Sequence, residues 1–202
     1  KYVKKILKNI KRKKIIINDN NIGAGLSRNL GILKAKGKYI SFIDSDDIWK
    51  KDKLKNQLLF MLNNKIEFCF TSYSIINKKN SIIKFVKAKK NISYEDLIKS
   101  CDIGLSTVML KKKLLKKIKF TKIKTKEDYI LWLKLSKKNV KMVGLDQKLV
   151  LWRKLDDSLS SSVFQRVKDA IYVYNNFLKF NLIKSTYHIF LMSLNSFRKR
   201  YL

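Results

Sequence analysis

The sequence contains no proline, two cysteines and a single histidine among 202 residues. Cys69 and Cys101 are too few for a disulfide-stapled scaffold or a Cys-rich zinc module. His188 alone excludes a multi-histidine metal centre, and its Tyr/Phe/Leu-rich surroundings speak against a Ser-His-Asp triad. None of the three has metal-ligand spacing, so all read as packing residues. No run approaches the ~18–20 apolar residues that span a bilayer, and no secretory signal is visible. The expected compartment is therefore the cytoplasm. Carboxylates are scarce: 15 Asp and Glu stand against 47 Lys and Arg, a formal charge of +32. That balance raises a basic nucleic-acid-binding module as one function class, with Tyr172, Tyr174 and Phe177 as interleaved aromatics. Two features oppose it. The lysines are spread over nearly every segment, with no nucleic-acid-binding motif. Lys, Ile and Asn, all coded by A/T-rich triplets, make up 81 of the 202 residues, so much of the charge follows composition. No specific nucleic acid is expected as a partner.

What the chain does have is apolar surface. Hydrophobic residues reach 46%, enough to bury a core. Lys1 to Arg12 reads as the end of a basic helix and Ile15 to Ile17 as a short buried strand. Gly23 to Lys36 reads as a helix with Leu26, Leu30 and Leu33 inward. Tyr39 to Ile43 has the continuous apolar pattern of a central parallel strand. Lys51 to Asn63 is an amphipathic helix. Glu67 to Tyr73 is a strand, followed by a hairpin around Lys78-Lys79-Asn80. Ser93 caps a short helix with Glu95 and Asp96 in its first turn. A strand over Thr107 to Leu110 and a helix over Lys126 to Lys138 follow. Val140 to Val143 and Lys148 to Trp152 read as two strands, and Ser160 to Ser162 as a loop and cap. Two helices, near Val163 to Phe180 and Ile183 to Arg200, close the chain. Strand–helix alternation followed by hairpins predicts an α/β domain with a mixed sheet.

Four constellations could carry chemistry. Asp44, Asp46 and Asp47 place three of the 15 acids within four residues, at a strand's carboxyl end. Ligands of open α/β sheets bind there, and hard carboxylates suit Mg²⁺ or Mn²⁺ with substrate phosphates. The competing reading is a turn in which Asp47 caps the next helix. Asn21 to Gly31 opens a helix with small residues, a place that accepts phosphate. Within it stands Arg28, one of six arginines in a lysine-rich chain, suited to planar recognition. Glu127-Asp128 is either ordinary dipole complement or a base for a nucleophilic hydroxyl. Trp152-Arg153-Lys154 and the hydroxyls after them could fold over a phosphate or form a bland loop. Trp49 packs or forms a wall of the site.

The order Asn21-x-Gly23…Ser27-Arg28-Asn29-x-Gly31, Phe42-Ile43-Asp44-Ser45-Asp46-Asp47-Ile48-Trp49 and Glu127-Asp128-Tyr129-x-Leu131-Trp132 resembles a bacterial family 2 glycosyltransferase. The resemblance runs from about Lys14 to Ser162. It implies a GT-A-like (Rossmann-like) mixed sheet flanked by helices over residues 1–162, with a C-terminal helical extension over 163–202. It implies transfer of a sugar from a nucleotide-diphosphate donor, with a UDP-sugar foremost, to a saccharide or lipid-linked acceptor hydroxyl. The setting would be surface polysaccharide or lipopolysaccharide synthesis. Asp46 and Asp44 would hold Mn²⁺ or Mg²⁺. Arg28, Asn21 and Gly23 would approach the donor with them. Asp128 would be the base of an inverting displacement, with Glu127 beside it. The family pattern also has an initial Pro-Thr-Tyr/Phe-Asn segment and an Asp-Asp-Gly-Ser segment, and neither is in this sequence. The expectation is a chain lacking two strands, with an exposed sheet edge at Ile15–Ile17, weak nucleotide binding and poor solubility. A non-catalytic remnant or partner subunit is then the competing reading. The mixed apolar and basic segment from Tyr187 to Leu202 either packs on the domain or touches the inner face of the cell membrane.

Overall fold

The computed structural model describes residues 13–155 and 163–201. Its strands are β1 (Tyr39–Ser41), β2 (Ile48–Trp49), β3 (Phe68–Ile76), β4 (Ile82–Val86), β5 (Asn91–Ile92), β6 (Met109–Lys111) and β7 (Met142–Arg153). Its α-helices are α1 (Ala24–Lys34), α2 (Lys53–Asn63), α3 (Tyr94–Leu97), α4 (Glu127–Ser136), α5 (Val163–Ile171) and α6 (Leu182–Tyr201), with a π-helical turn at Tyr172–Phe177. The strands form one mixed sheet in the order β1-β6-β3-β7-β2, with β4 on β3 and β5 on β7. Among the described strands only β3 and β7 pair in parallel.

Strand alternation divides the interior. Phe68 and Phe70 enter the larger apolar cluster, while Cys69 between them enters a smaller one with Met61, Met109, Leu145 and Leu149. Helix α2 covers the smaller cluster through Met61, Leu58 and Phe60. The larger cluster is filled by α4, whose Tyr129, Ile130, Leu131, Trp132, Leu133 and Leu135 are all buried. The Trp132 ring meets Phe68 edge-on at 5.0 Å. Ala170, Val173, Tyr174 and Met192 of the C-terminal helices join the same cluster. His188 is buried and stacks on Tyr174 at 5.6 Å, the packing role expected of it. The hairpin forms where expected: the Asn77 side chain accepts from the Lys79 and Ser81 N–H groups, and Asn80 takes a positive φ. Ser93 and Asp96 form a reciprocal capping box on α3.

Several expectations are corrected. Ile15 to Ile17 form no strand and are all exposed, Ile17 by 70%. Tyr39 to Ile43 is not a central parallel strand. Only Tyr39–Ser41 pairs, antiparallel to β6, and β1 stands at the end of the strand order. The apolar run arises because Ile40 and Phe42 fill the larger cluster while Tyr39 packs on the smaller one. Helix α1 is turned the other way from its leucines. Leu30 and Leu33 are exposed, and Gly25, Arg28, Asn29 and Ile32, at i, i+3, i+4 and i+7, face the domain. The two strands expected over Val140–Trp152 are the single β7, in which a register slip after Leu145 absorbs Asp146 and Gln147 as a bulge. The helix expected over Lys1–Arg12 and the loop over Ser160–Ser162 lie outside the described residues.

Candidate functional site

Just past the carboxyl end of β1 the chain turns through Asp44 to Asp47, and three other stretches converge on that turn. Helix α1 brings Arg28, the start of α4 brings Glu127 and Asp128, and the end of β7 brings Arg153. Together they line a cleft of about 550 Å³. The centre is Arg28. One arm of its guanidinium pairs with Asp44 at 2.7 Å and the other with Glu127. The planar fork gives each carboxylate its own nitrogen, Nη2 for Asp44 and Nη1 for Glu127. Burial works against its charge, but Asp44 and Glu127 outweigh that and hold its pKa above the ordinary value.

The approach of α1 to α4 depends on Gly25. A Cβ there would stand 2.6 Å from the Thr121 carbonyl oxygen and 3.2 Å from Glu127 Cγ. Asn29 fixes the same contact by exchanging two hydrogen bonds, each 3.0 Å, with the Phe120 backbone. Asn21 and Gly23 do not line the cleft. The Asn21 side chain accepts from the Gly23 N–H at 3.0 Å, and Gly23, at φ 82°, opens α1. Ala24, the next residue, is in the cleft wall.

The acidic turn is held from below by Ser106. Its hydroxyl accepts from the Asp44 N–H at 3.0 Å, and its carbonyl accepts from Trp49 Nε1 at 2.8 Å. Trp49 therefore packs behind the site, with the Lys53 ammonium 4.1 Å over its ring. Lys53 is itself buried, and burial pushes its pKa down to about 7. Arg153 clamps the turn from the side. Its Nε donates to the Asp46 carbonyl at 2.9 Å and its backbone N–H to Asp47 Oδ1 at 3.0 Å. Asp47 is thus not a helix cap: α2 is capped by Asp52, without a side-chain bond. The other Asp47 oxygen is buried with no partner. Burial pushes the Asp47 carboxyl up to about 6; the Ser106 hydroxyl and the Arg153 N–H oppose the rise, and Asp44 and Asp46 add to it. The Asp46 carboxylate, half-buried in the cleft wall, has no hydrogen bond or ion pair among the described residues.

Glu127 and Asp128 stand at the N-terminus of α4, where the dipole favours negative charge. Lys126 before them has a left-handed backbone, φ 66°, unusual for a residue with a side chain. Thr125 anchors that turn: its N–H and hydroxyl donate to the buried Asp169 carboxylate of α5 at 2.8 and 2.6 Å. Burial, joined by Glu127, pushes Asp128 up to about 7, opposed by the Tyr129 N–H it accepts and by Arg28. Such a carboxyl takes up and releases protons near neutrality. A second cavity of about 300 Å³ shares Gly104, Ser106, Thr125, Lys126, Asp128 and Trp152 with the cleft, and runs on to Tyr73 and Ile103.

Of the residues singled out from sequence, Arg28, Asp44, Asp46, Glu127 and Asp128 come together, and Asn21 and Gly23 stay behind them. Arg153 joins through its clamp. Ser106 and Thr125 had no spacing to mark them, because each acts through a partner more than forty residues away.

Comparison with known proteins identifies the family and the fold. The family model described as "Glycosyl transferase family 2" matches residues 1–121. The chain is 33% identical over 187 residues to TuaG of Bacillus subtilis, a glycosyltransferase named for teichuronic acid biosynthesis; the match covers 92% of this chain and 74% of that protein. It is 37% identical over 177 residues to WfgD of Escherichia coli, named as a UDP-Glc:alpha-D-GlcNAc-diphosphoundecaprenol beta-1,3-glucosyltransferase, covering 87% and 69%. Among solved structures, the 1–349 fragment of S. aureus TarS in complex with UDP-GlcNAc superposes with a TM-score of 0.63 at 19% identity. That match covers 86% of this chain and 54% of the solved one, so the chain spans about half the length of that structure. A mannosyltransferase from Pyrobaculum calidifontis, solved with GDP-Man and Mn²⁺, shares the fold at TM-score 0.57 and 11% identity. With a family model spanning more than half its residues, and a named transferase one-third identical across nearly all of it, the chain belongs to glycosyl transferase family 2.

Proposed function

We propose that this glycosyltransferase moves a sugar from a nucleotide-diphosphate donor, foremost a UDP-sugar, to the hydroxyl of a saccharide or lipid-linked acceptor. The setting is the assembly of a bacterial surface polysaccharide at the inner, cytoplasmic face of the cell membrane. The transferase unit is residues 1–162, with 163–202 as a helical extension packed on it. The observation that carries this reading is the Arg28 bridge. It draws the acidic turn and the α4 acids to one cleft, where a diphosphate and an acceptor hydroxyl can meet.

Asp46, with its unengaged carboxylate, and Asp44 fit a divalent ion such as Mn²⁺ or Mg²⁺. Among the described residues no three His, Cys, Asp or Glu side chains form a protein metal centre, so the substrate's phosphate oxygens would complete the shell. A bound ion supplies charge neutralisation to the departing nucleotide diphosphate. Arg28 and the N-terminal turn of α1, opened by Asn21 and Gly23, face the donor from the opposite wall. Asp128 accepts the proton of the acceptor hydroxyl, which enters from the cavity walled by Tyr73 and Trp152. Attack from that side, opposite the leaving diphosphate, inverts the anomeric centre. Glu127 keeps Arg28 in place. UDP-sugars come first because WfgD is named for UDP-Glc and TarS was solved with UDP-GlcNAc. The lipid-linked acceptor follows the diphosphoundecaprenol in the WfgD name.

The test is a donor screen with and without Mn²⁺, followed by Asp46→Asn and Asp128→Asn. Both substitutions are expected to abolish transfer while the melting curve stays intact. Full activity in both variants overturns the reading.

A further inference from the structure

Helix α6 has two faces. Ser185, His188 and Met192 are buried against the domain. On the other side Ile183 (83% exposed), Tyr187, Phe190 (60%) and Leu194 stand at spacings of four, three and four. At 100° per residue they fall within an arc of about 60° and run along roughly 16 Å of helix. Phe197, more than half exposed, continues the spacing. Soluble surfaces scatter apolar residues singly; an aligned aromatic stripe marks an interaction face.

The charges around the stripe identify what lies on it. Residues 163–202 contain seven Lys and Arg and one acid, Asp169. That acid is buried and bonded to Thr125, so these helices present no exposed carboxylate side chain. Lys184 and Arg198 are exposed on the same helix. A second copy of a chain carrying +32 would be repelled from such a surface. No helix among the described residues is long and apolar enough to cross a membrane. We infer that the outer face of α6 docks on an anionic lipid surface, with Ile183, Tyr187, Phe190 and Leu194 in the headgroup–acyl boundary and the flanking cations on the phosphates. The helix lies in the membrane plane, as an amphipathic helix with aromatics on one side and cations beside them does.

The test is flotation of the whole chain with phosphatidylcholine vesicles, with and without phosphatidylglycerol, at ~0.15 M salt. Recovery is expected with the anionic vesicles only. The double variant Tyr187→Ser/Phe190→Ser, with melting unchanged, is expected to lose binding by about tenfold or more. Leu54→Ser/Leu62→Ser, two leucines of α2 about half exposed, is the control and should bind as the parent does. If Tyr187→Ser/Phe190→Ser binds as tightly as the parent, lysines alone hold the vesicle and the proposal falls. It falls equally if sedimentation finds a dimer that this variant dissociates, since the occupant is then a second copy. Flotation needs no turnover, so its outcome is separate from that of the donor screen.

Discussion

Helices α1 and α4 build the cleft from opposite materials. Helix α4 is buried almost all round, and its acids stand on a stem fixed by Trp132, Leu133 and Leu135. Helix α1 leaves Leu30 and Leu33 in solvent and meets the domain through Arg28, Asn29, the bare backbone at Gly25 and a single isoleucine, Ile32. Glu127 and Asp128 are thus positioned by packing, Arg28 chiefly by charge and hydrogen bonds. Packing energy scales with area and tolerates salt and pH; an ion-pair hinge follows both. One wall of the site is set by the core, and the other is set by the site itself.

The contrast can be broken from either side. The largest effect is expected of Trp132→Ala, which removes a fully buried ring and should cost about 3–5 kcal/mol, a large share of a domain's stability. Denaturant unfolding reads it. Leu33→Ser on α1, by contrast, should stay within about 0.5 kcal/mol. Next comes Arg28→Lys. A lysine offers one nitrogen where Arg28 gives Asp44 and Glu127 one each, and weakening a charge-assisted bond worth about 1.5–3 kcal/mol should lower transfer by roughly 10- to 150-fold. An unchanged rate would show that the fork is dispensable. Gly25→Ala should cost about 1–3 kcal/mol, because its methyl meets a backbone oxygen that cannot swing away. A crystal structure would show α1 displaced from Glu127.

The smallest effect concerns pH. Asp47 is raised to about 6 and Asp128 to about 7. A carboxyl raised on folding favours the folded state while it is protonated. That contribution is complete below its ordinary value near 4 and is lost as pH rises through the raised one. Stability should therefore decline modestly between pH 4 and 7 while transfer, with Asp128 as the proposed base, rises toward pH 7. Asp47→Asn should flatten the lower part of the stability profile. A melting temperature climbing with pH over that interval in the parent chain would contradict both assignments.

The same contrast explains what the sequence revealed. Helix α4 was legible because an apolar helix with acids at its start has one reading in any fold. The strand over Glu67 to Tyr73 was legible for a similar reason: its Phe68-Cys69-Phe70 alternation has a period of two. The orientation of α1 was not, because its leucine stripe is a genuine amphipathic signal overruled by partners at Asp44, Phe120 and Glu127. Those partners lie 16 to 99 residues away and leave no local trace. The merger of two expected strands into β7 escaped for the opposite reason, since a polar pair inside a strand looks like a turn until its neighbour supplies the register. Ser106 and Thr125 show the general limit: a residue that holds another in place carries no chemistry of its own to betray it.

Asp169 binds Thr125, and Lys126 Nζ meets Met192 Sδ at 3.3 Å, so two struts join the terminal helices to the turn that launches α4. Asp169 of α5 and Met192 of α6 thus make contact three and two residues before Asp128. The placement of the α4 acids therefore depends on how both terminal helices sit against the domain.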